Sequence, residues 1–248
     1  MGARPQARQA VSAPSAAGRG SPRFLVVVAL FIAALLTANV IAVKLFAVGV
    51  TLPGLGPLVL PAAIVVFPLS YLLGDVLTEV YGYRTARLVI WLGFLANGVL
   101  VAFVWVGLVL PPAGFWDAQP AYERVLGFTW RLLVASFAAY LVGEFANAYV
   151  LARMKVATRG RWLWSRTIGS TVVGQGLDSL VFITIAFAGQ VPTLLALGQL
   201  VVVQWWAKVL YEVLATPLTY LVVGYLKRAE GVDAYDRGVD FNPLALAR

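Results

Sequence analysis

With 248 residues, 61% of them hydrophobic and 12% charged, the chain is too apolar for a soluble domain of its size, whose surface must be polar. Cysteine and histidine are both absent, which excludes disulfides, zinc sites with His or Cys ligands, haem ligation by those residues and any His-dependent catalytic triad. The net charge of +8 would suit nucleic acid, but its placement along the chain assigns it to membrane orientation.

Residues Met1–Pro22 are rich in Ala, Ser, Gly and Pro and carry Arg4, Arg8 and Arg19, so a disordered tail is expected there. A transmembrane helix needs about 20 apolar residues. Six windows reach that length: Phe24–Phe46, Leu60–Tyr81, Ala86–Leu110, Trp130–Ala152, Ile168–Gly189 and Leu195–Leu226. The first is too long for the core of a cleaved signal peptide and reads as a retained helix. Between the first two, Gly49–Leu60 holds Pro53, Gly54, Gly56 and Pro57 and reads as a plain connector, with a short hairpin as the alternative. Pro68 and Pro217 fall inside predicted helices, where each removes a backbone bond. The segment Pro111–Gly127 offers Trp116 and Tyr122 as interfacial anchors. Arg153–Arg166 combines five cations with Trp162 and Trp164, a composition suited to anionic lipid. The sixth window exceeds one crossing and reads as tilted or projecting.

Fifteen of the 19 Lys and Arg fall on one side of this six-span arrangement. The positive-inside rule then makes both termini cytoplasmic. The fold expected is an all-α membrane protein of six transmembrane helices, with a tail over residues 1–22, a transporter domain over 23–228, a cytoplasmic tail over 229–248 and no second domain.

Lys44, Asp75, Glu79, Glu144, Asp178, Lys208 and Glu212 sit inside or at the edges of these windows. A charge at bilayer depth costs about 3 kcal/mol on insertion scales, so such residues point to binding or moving something polar. Gly143-Glu144-Phe145-Ala146-Asn147 and Gly174-Gln175-Gly176-Leu177-Asp178 echo one another as Gly-[Glu/Gln]-x-x-[Asn/Asp]. The i,i+3 spacing puts each polar pair on one helix face, and two antiparallel spans would let the pairs meet. Lys208 and Glu212 are i,i+4 and suited to satisfy each other; Asp178 and Glu144 have Lys208 and Lys44 as alternative partners. Asp75 and Glu79, also i,i+4, read as gating or helix-end groups near Arg84 and Arg87. Asn39, with Lys44, would line the outer path.

Leu73–Arg84 (LGDVLTEVYGYR), with Gly143–Val150 (GEFANAYV), Val173–Gly189 and Lys208–Tyr220 (KVLYEVLATPLTY), resembles the queuosine precursor transporter family, formerly grouped with vitamin uptake transporters. The resemblance runs from about Ala38 to Leu226. It implies a six-helix protein of the bacterial inner membrane that imports 7-deazaguanines such as preQ0 and preQ1, or queuine, for tRNA modification. The chain departs from the family pattern at Gly74, often Thr, at Gly143, Glu144 and Asn147, often Ser-Gln and then Asp, and at Gly174, often Ser.

The residues themselves suit that substrate class. A guanine-like base presents N1–H and an exocyclic amine side by side, and a carboxylate accepts both. Asp178 with Gln175 forms the expected base contact, with Glu144 and Asn147 opposite. Trp205 is the expected stacking platform, and Trp91, Trp206, Tyr140 and Tyr211 are further aromatic candidates. Lys208 completes the substrate set, while Asp75, Glu79, Glu212 and Lys44 serve gating or coupling. The expected partners are a deazapurine and the lipid bilayer, with no cofactor, no metal and no nucleic acid.

Three function classes compete. A self-sufficient carrier would be facilitated or proton-coupled, with Glu144 as the coupling carboxylate. A substrate-capturing subunit of an ATP-driven vitamin importer would dock its partner through small residues spaced by four in the first helix, Ala29 and Ala33 and then Ala34, Ala38 and Ala42, which equally suit a homodimer. An intramembrane enzyme lacks a His or Cys nucleophile system and any Ser beside an obvious Lys base, so the protein is read as a non-enzyme.

Overall fold

The computed structural model describes residues 20–42, 44–52, 56–127, 130–189 and 193–245. The expected disorder over Met1–Pro22 lies outside the described residues, apart from its last three positions. Helix α1 (Pro22–Ile41) begins where Ser21 Oγ accepts the Phe24 N–H at 3.0 Å and Pro22 opens the first turn. It ends before Phe46, and the chain enters β1 (Leu45–Leu52), paired antiparallel with β2 (Gly56–Pro61). The expected connector is therefore a hairpin. Its register shifts between Ala47 and Thr51, where Gly49 takes φ +79°, a conformation glycine adopts without side-chain strain.

The second window is not one helix. Pro61 closes β2, Ala62–Val65 make a 3-10 turn, and α2 runs only over Phe67–Tyr81. Pro68 falls in its first turn, where its missing N–H costs nothing, rather than in a helix interior. Fifteen residues span roughly 22 Å, short of a bilayer core of about 30 Å. Five helices are long and apolar enough to cross a membrane by themselves. They are α1, α3 (Tyr83–Val109), α5 (Trp130–Ala157), α6 (Leu163–Phe187) and α7 (Leu194–Glu230), the last with Pro217 in its interior. The short α4 (Gln119–Leu126) lies between α3 and α5, and Tyr122 meets Trp116 edge-to-face at 5.9 Å.

Helix α2 is the axis of the bundle. Every residue from Ser70 to Tyr81 is buried, and α1, α3, α5 and α7 all pack on it. The surrounding helices keep their apolar side chains outward, as at Leu25, Leu95, Phe103, Leu214 and Leu221, the arrangement expected of a surface facing lipid. A helix wrapped by protein rather than lipid can carry Asp75, Thr78 and Glu79 at no cost to the outer surface.

Contacts bring the start of α1 to the ends of α2 and α7. Phe24 meets Tyr81 at 4.9 Å, and Arg23 lies 3.5 Å from Glu230. This basic end also receives the α5–α6 turn. Arg153–Arg166 is not a free basic loop, because α5 continues to Ala157, α6 starts at Leu163, and Lys155 and Arg166 are buried.

After Gly231 the chain is not a loose tail but a strap across the basic end. Ala234 N–H donates to Val80 O at 3.2 Å, and both Asp236 carboxylate oxygens accept the Tyr83 N–H at 3.0 Å. Further along, Arg87 donates to the carbonyls of Asp240 and Asn242, and Trp91 to that of Pro243. The strap explains the Gly82-Tyr83 step of the signature. Gly82 takes φ +83°, and a Cβ there would stand 3.0 Å from Ala234 Cβ and 3.1 Å from Asp236 Oδ1.

Candidate functional site

The two echoed segments meet. Where α5 crosses α6, a Cβ on Gly143 would stand 2.7 Å from Asp178 Cβ, and one on Gly174 would stand 2.7 Å from Asn147 Cβ. Only residues without side chains let the backbones approach this closely, and the approach brings the polar partners of both motifs to one level. Asn147 and Gln175 are buried there, and Asn147 Oδ1 and Gln175 Oε1 have no hydrogen-bond donor.

From the axis, α2 presents Phe67, Tyr71, Asp75 and Glu79 at strict i,i+4 spacing, a single stripe. Asn147 Nδ2 donates to Asp75 Oδ1 at 2.9 Å. Phe67 and Tyr71 stack with centroids 5.7 Å apart and planes 9° from parallel. Tyr71 lies within electrostatic reach of Asp178, Glu144 and Glu212. Sequence reasoning missed this aromatic pair. The signal was present as two further steps of four residues upstream of Asp75, in a window whose apolar residues made the aromatics inconspicuous.

Lys208 on α7 pairs with Asp178 on α6, with its ammonium 5.2 Å from the Phe67 ring centroid. It does not pair with its i,i+4 neighbour: Glu212 is buried and neither of its oxygens has a partner. The reason is the facing helix, which offers a carboxylate across the α6–α7 contact. Glu144 is buried within electrostatic reach of Asp178 and Lys208. It shares a narrow crevice with Phe31, Gly74 and Asn147 that leaves no room for a water molecule. A Cβ on Gly74 would stand 3.3 Å from Glu144 Oε2, so two of the departures from the family pattern are in contact.

Other expected members lie elsewhere. Asn39 donates to Asn97 Oδ1 at 2.8 Å, tying α1 to α3 through a buried partner not anticipated. Lys44 is exposed beside the hairpin, forms no ion pair among the described residues, and so does not answer Glu144. Trp205 sits at the edge of the site against Gly176, but its indole N–H is committed to Val172 O at 2.8 Å and locks α7 to α6. Tyr140 donates to Ile90 O, Trp91 on α3 donates to Pro243 O of the strap, and Trp206 and Tyr211 are exposed.

Glu79 lies two residues from the end of α2, and it pairs with neither Arg84 nor Arg87. It is the hub of a buried network, with Arg166 at 2.7 Å, Lys227 at 2.6 Å and Lys155 at 3.5 Å. Asp233 of the strap reaches the same two lysines, at 2.6 Å from Lys155 and 2.8 Å from Lys227. Burial works against ionisation of Asp233, but the hydrogen bonds from Lys155 and Lys227 outweigh it and hold its carboxyl below the ordinary value. At Asp236 burial prevails and raises the carboxyl, with the Tyr83 N–H pulling the other way. Among the described residues no group of three or more acidic, His or Cys side chains is arranged to hold a metal ion.

A helical bundle with lipid-compatible flanks, closed over a buried cluster of polar groups between α2, α5, α6 and α7, defines a polytopic membrane protein with an internal polar site. The family model described as "Putative vitamin uptake transporter" matches residues 61–222, and the chain belongs to that family. A "Probable queuosine precursor transporter" of Bacillus subtilis (strain 168) is 36% identical over 120 residues, 48% of this chain and 52% of the relative. The "Queuosine precursor transporter" of Escherichia coli (strain K12) is 30% identical over 121 residues, 49% of this chain and 52% of the relative. A "Probable queuosine precursor transporter" of Haemophilus influenzae is 28% identical over 121 residues, 49% of each chain. The chain thus spans about half the length of the curated relatives it matches. No solved structure matches it.

Proposed function

We propose that this chain is an inner-membrane importer of queuosine precursors, 7-deazaguanines such as preQ0 and preQ1 or the base queuine, serving tRNA modification. In this reading α2, extended by the 3-10 turn and hairpin, completes a sixth crossing, and the basic end with both termini faces the cytoplasm. The observation that carries the reading is the pair of buried acceptors without donors, Gln175 Oε1 and Asn147 Oδ1, flanked by the Asp178 and Glu144 carboxylates. A buried acceptor left unpaired costs about 1–3 kcal/mol, and a deazaguanine supplies donors along its N1–H and amine edge. Lys208 holds Asp178 in the closed form, and the donor edge of the base takes its place on binding. The Phe67–Tyr71 stack and Trp205 offer flat surfaces for the ring plane.

The transporter names of the relatives favour a carrier that works alone over a capture subunit of an ATP-driven importer. Thermal stabilisation of the purified protein by a panel of 7-deazaguanines, guanine and vitamins tests the substrate class. A ligand at a hundred times its Kd raises stability by about 2.7 kcal/mol. Selective stabilisation by a deazaguanine, lost in Asp178→Asn, is expected. Stabilisation by a vitamin alone would overturn the reading, as would failure of the protein to transport by itself in liposomes.

A further inference from the structure

Asp75 and Glu212 face one another across the α2–α7 contact, within electrostatic reach. Both are buried, at 0% and 1% exposure. Asp75 Oδ1 has Asn147 as donor, but Asp75 Oδ2 and both Glu212 oxygens have no partner. The titratable groups turned toward the pair are Glu144 from α5, Tyr71 and Glu79 from α2, and Asp178 with its partner Lys208. Helices α1 and α3 carry their charged residues in their opening turns, at Arg23, Arg84 and Arg87, away from this level. Among the described residues, Lys208, one turn from Glu212, is already committed to Asp178, and Lys155, Arg166 and Lys227 are committed to Glu79.

Two ionised carboxylates in such surroundings would each lack solvation and would repel one another, and a carboxylate with no donor cannot be buried cheaply. Ser179 Oγ on α6, buried without a partner, adds no charge. We propose that Asp75 and Glu212 form a proton-binding dyad that holds a proton in the closed protein and releases it to water when α7 parts from α2. The proton sits on a carboxyl oxygen, and release leaves a carboxylate, so the dyad links opening to proton movement. The coupling rests on the carrier reading above; the proton site does not. Glu144 lies within electrostatic reach of Asp75 and is a further carboxylate beside the pair.

Infrared difference spectroscopy on the full chain in liposomes reads the carbonyl stretch of a buried carboxylic acid without any substrate. The expected result is an acid band in the wild type that is lost in Glu212→Gln and weakened or shifted in Asp75→Asn. Both variants keep the side-chain shape, and melting curves establish that they fold. An acid band absent from the wild type, or unchanged in both variants, overturns the proposal. Stabilisation by sodium in place of that band would overturn it in favour of a metal cation. A pH-sensitive dye trapped in the same vesicles then reads proton movement during deazaguanine exchange. Exchange without proton movement overturns the coupling, whereas absence of exchange with the acid band intact counts against the carrier reading and leaves the proton site standing.

Discussion

Gly143 of α5 and Gly174 of α6 meet back to back, each carbonyl oxygen lying 2.9–3.2 Å from where the other's Cβ would stand. This contact seats Asp178 against Gly143 and Asn147 against Gly174, so it is a condition for the candidate site. Gly143→Ala or Gly174→Ala must push the helices apart, and overpacking of this kind costs about 1–3 kcal/mol. Thermal melts should show that loss together with weaker stabilisation by deazaguanine. Gly224→Ala in α7, where a Cβ meets open space, serves as the comparison and should raise stability by about 0.5–1 kcal/mol. Equal melting of all three variants would contradict the crossing.

Removing Glu79's charge should be among the most damaging single changes. Glu79→Gln leaves the buried Arg166 without its carboxylate and Lys155 with Asp233 alone, and breaking a buried network by losing one partner costs about 3–5 kcal/mol. The measurement is folded yield and Tm after extraction. Arg84→Gln, at the exposed cation that sequence proximity favoured, should shift the melt by less than about 0.5 kcal/mol.

The strap should support α3 directly. Asp236 meets the first N–H of that helix as an N-cap residue would, though it arrives from 153 residues away. Asp236→Ala should cost about 1 kcal/mol and speed hydrogen exchange in the first turn of α3. Ending the chain after Glu230 removes Asp233, Asp236 and the carbonyls that hold Arg87 and Trp91, and should lower the Tm further. Unchanged exchange at Tyr83 would show that the strap does not cap the helix.

The two strap carboxylates predict opposite pH dependence. Asp233 is depressed in the fold, so its contribution is complete above the ordinary Asp value of about 3.9 and is lost as pH falls through its lowered pKa. Asp236 is raised, so its contribution is complete below that ordinary value and is lost as pH rises through its elevated pKa. Stability measured from pH 3 to 7, approximate limits chosen to bracket ordinary Asp titration, should lose its acid limb in Asp233→Asn. Asp236→Asn should flatten the slope just above pH 4, again an approximate position.

Much of the site was legible before the fold. Glu144, Asn147, Gln175 and Asp178 stood out because polar residues are rare in apolar windows, and their i,i+3 spacing already put each pair on one face. The hairpin and the break before α2 were not legible. Leu60–Tyr81 is apolar throughout, and hydropathy alone does not distinguish a lipid-facing helix from a strand, a turn and a short helix enclosed by protein.

The chain's own pattern determined its long helices, the clustering of basic residues and the set of polar groups inside, because these follow from local hydropathy and helical period. Only the tertiary structure decided who pairs with whom. Lys208 turns from Glu212, one turn away, to Asp178 on the next helix, and Glu79 passes over Arg84 for Arg166 and Lys227. Those choices depend on the axial register and rotation of helices against one another. Close glycine contacts and the docked strap set that register, and neither is visible in any single stretch of sequence.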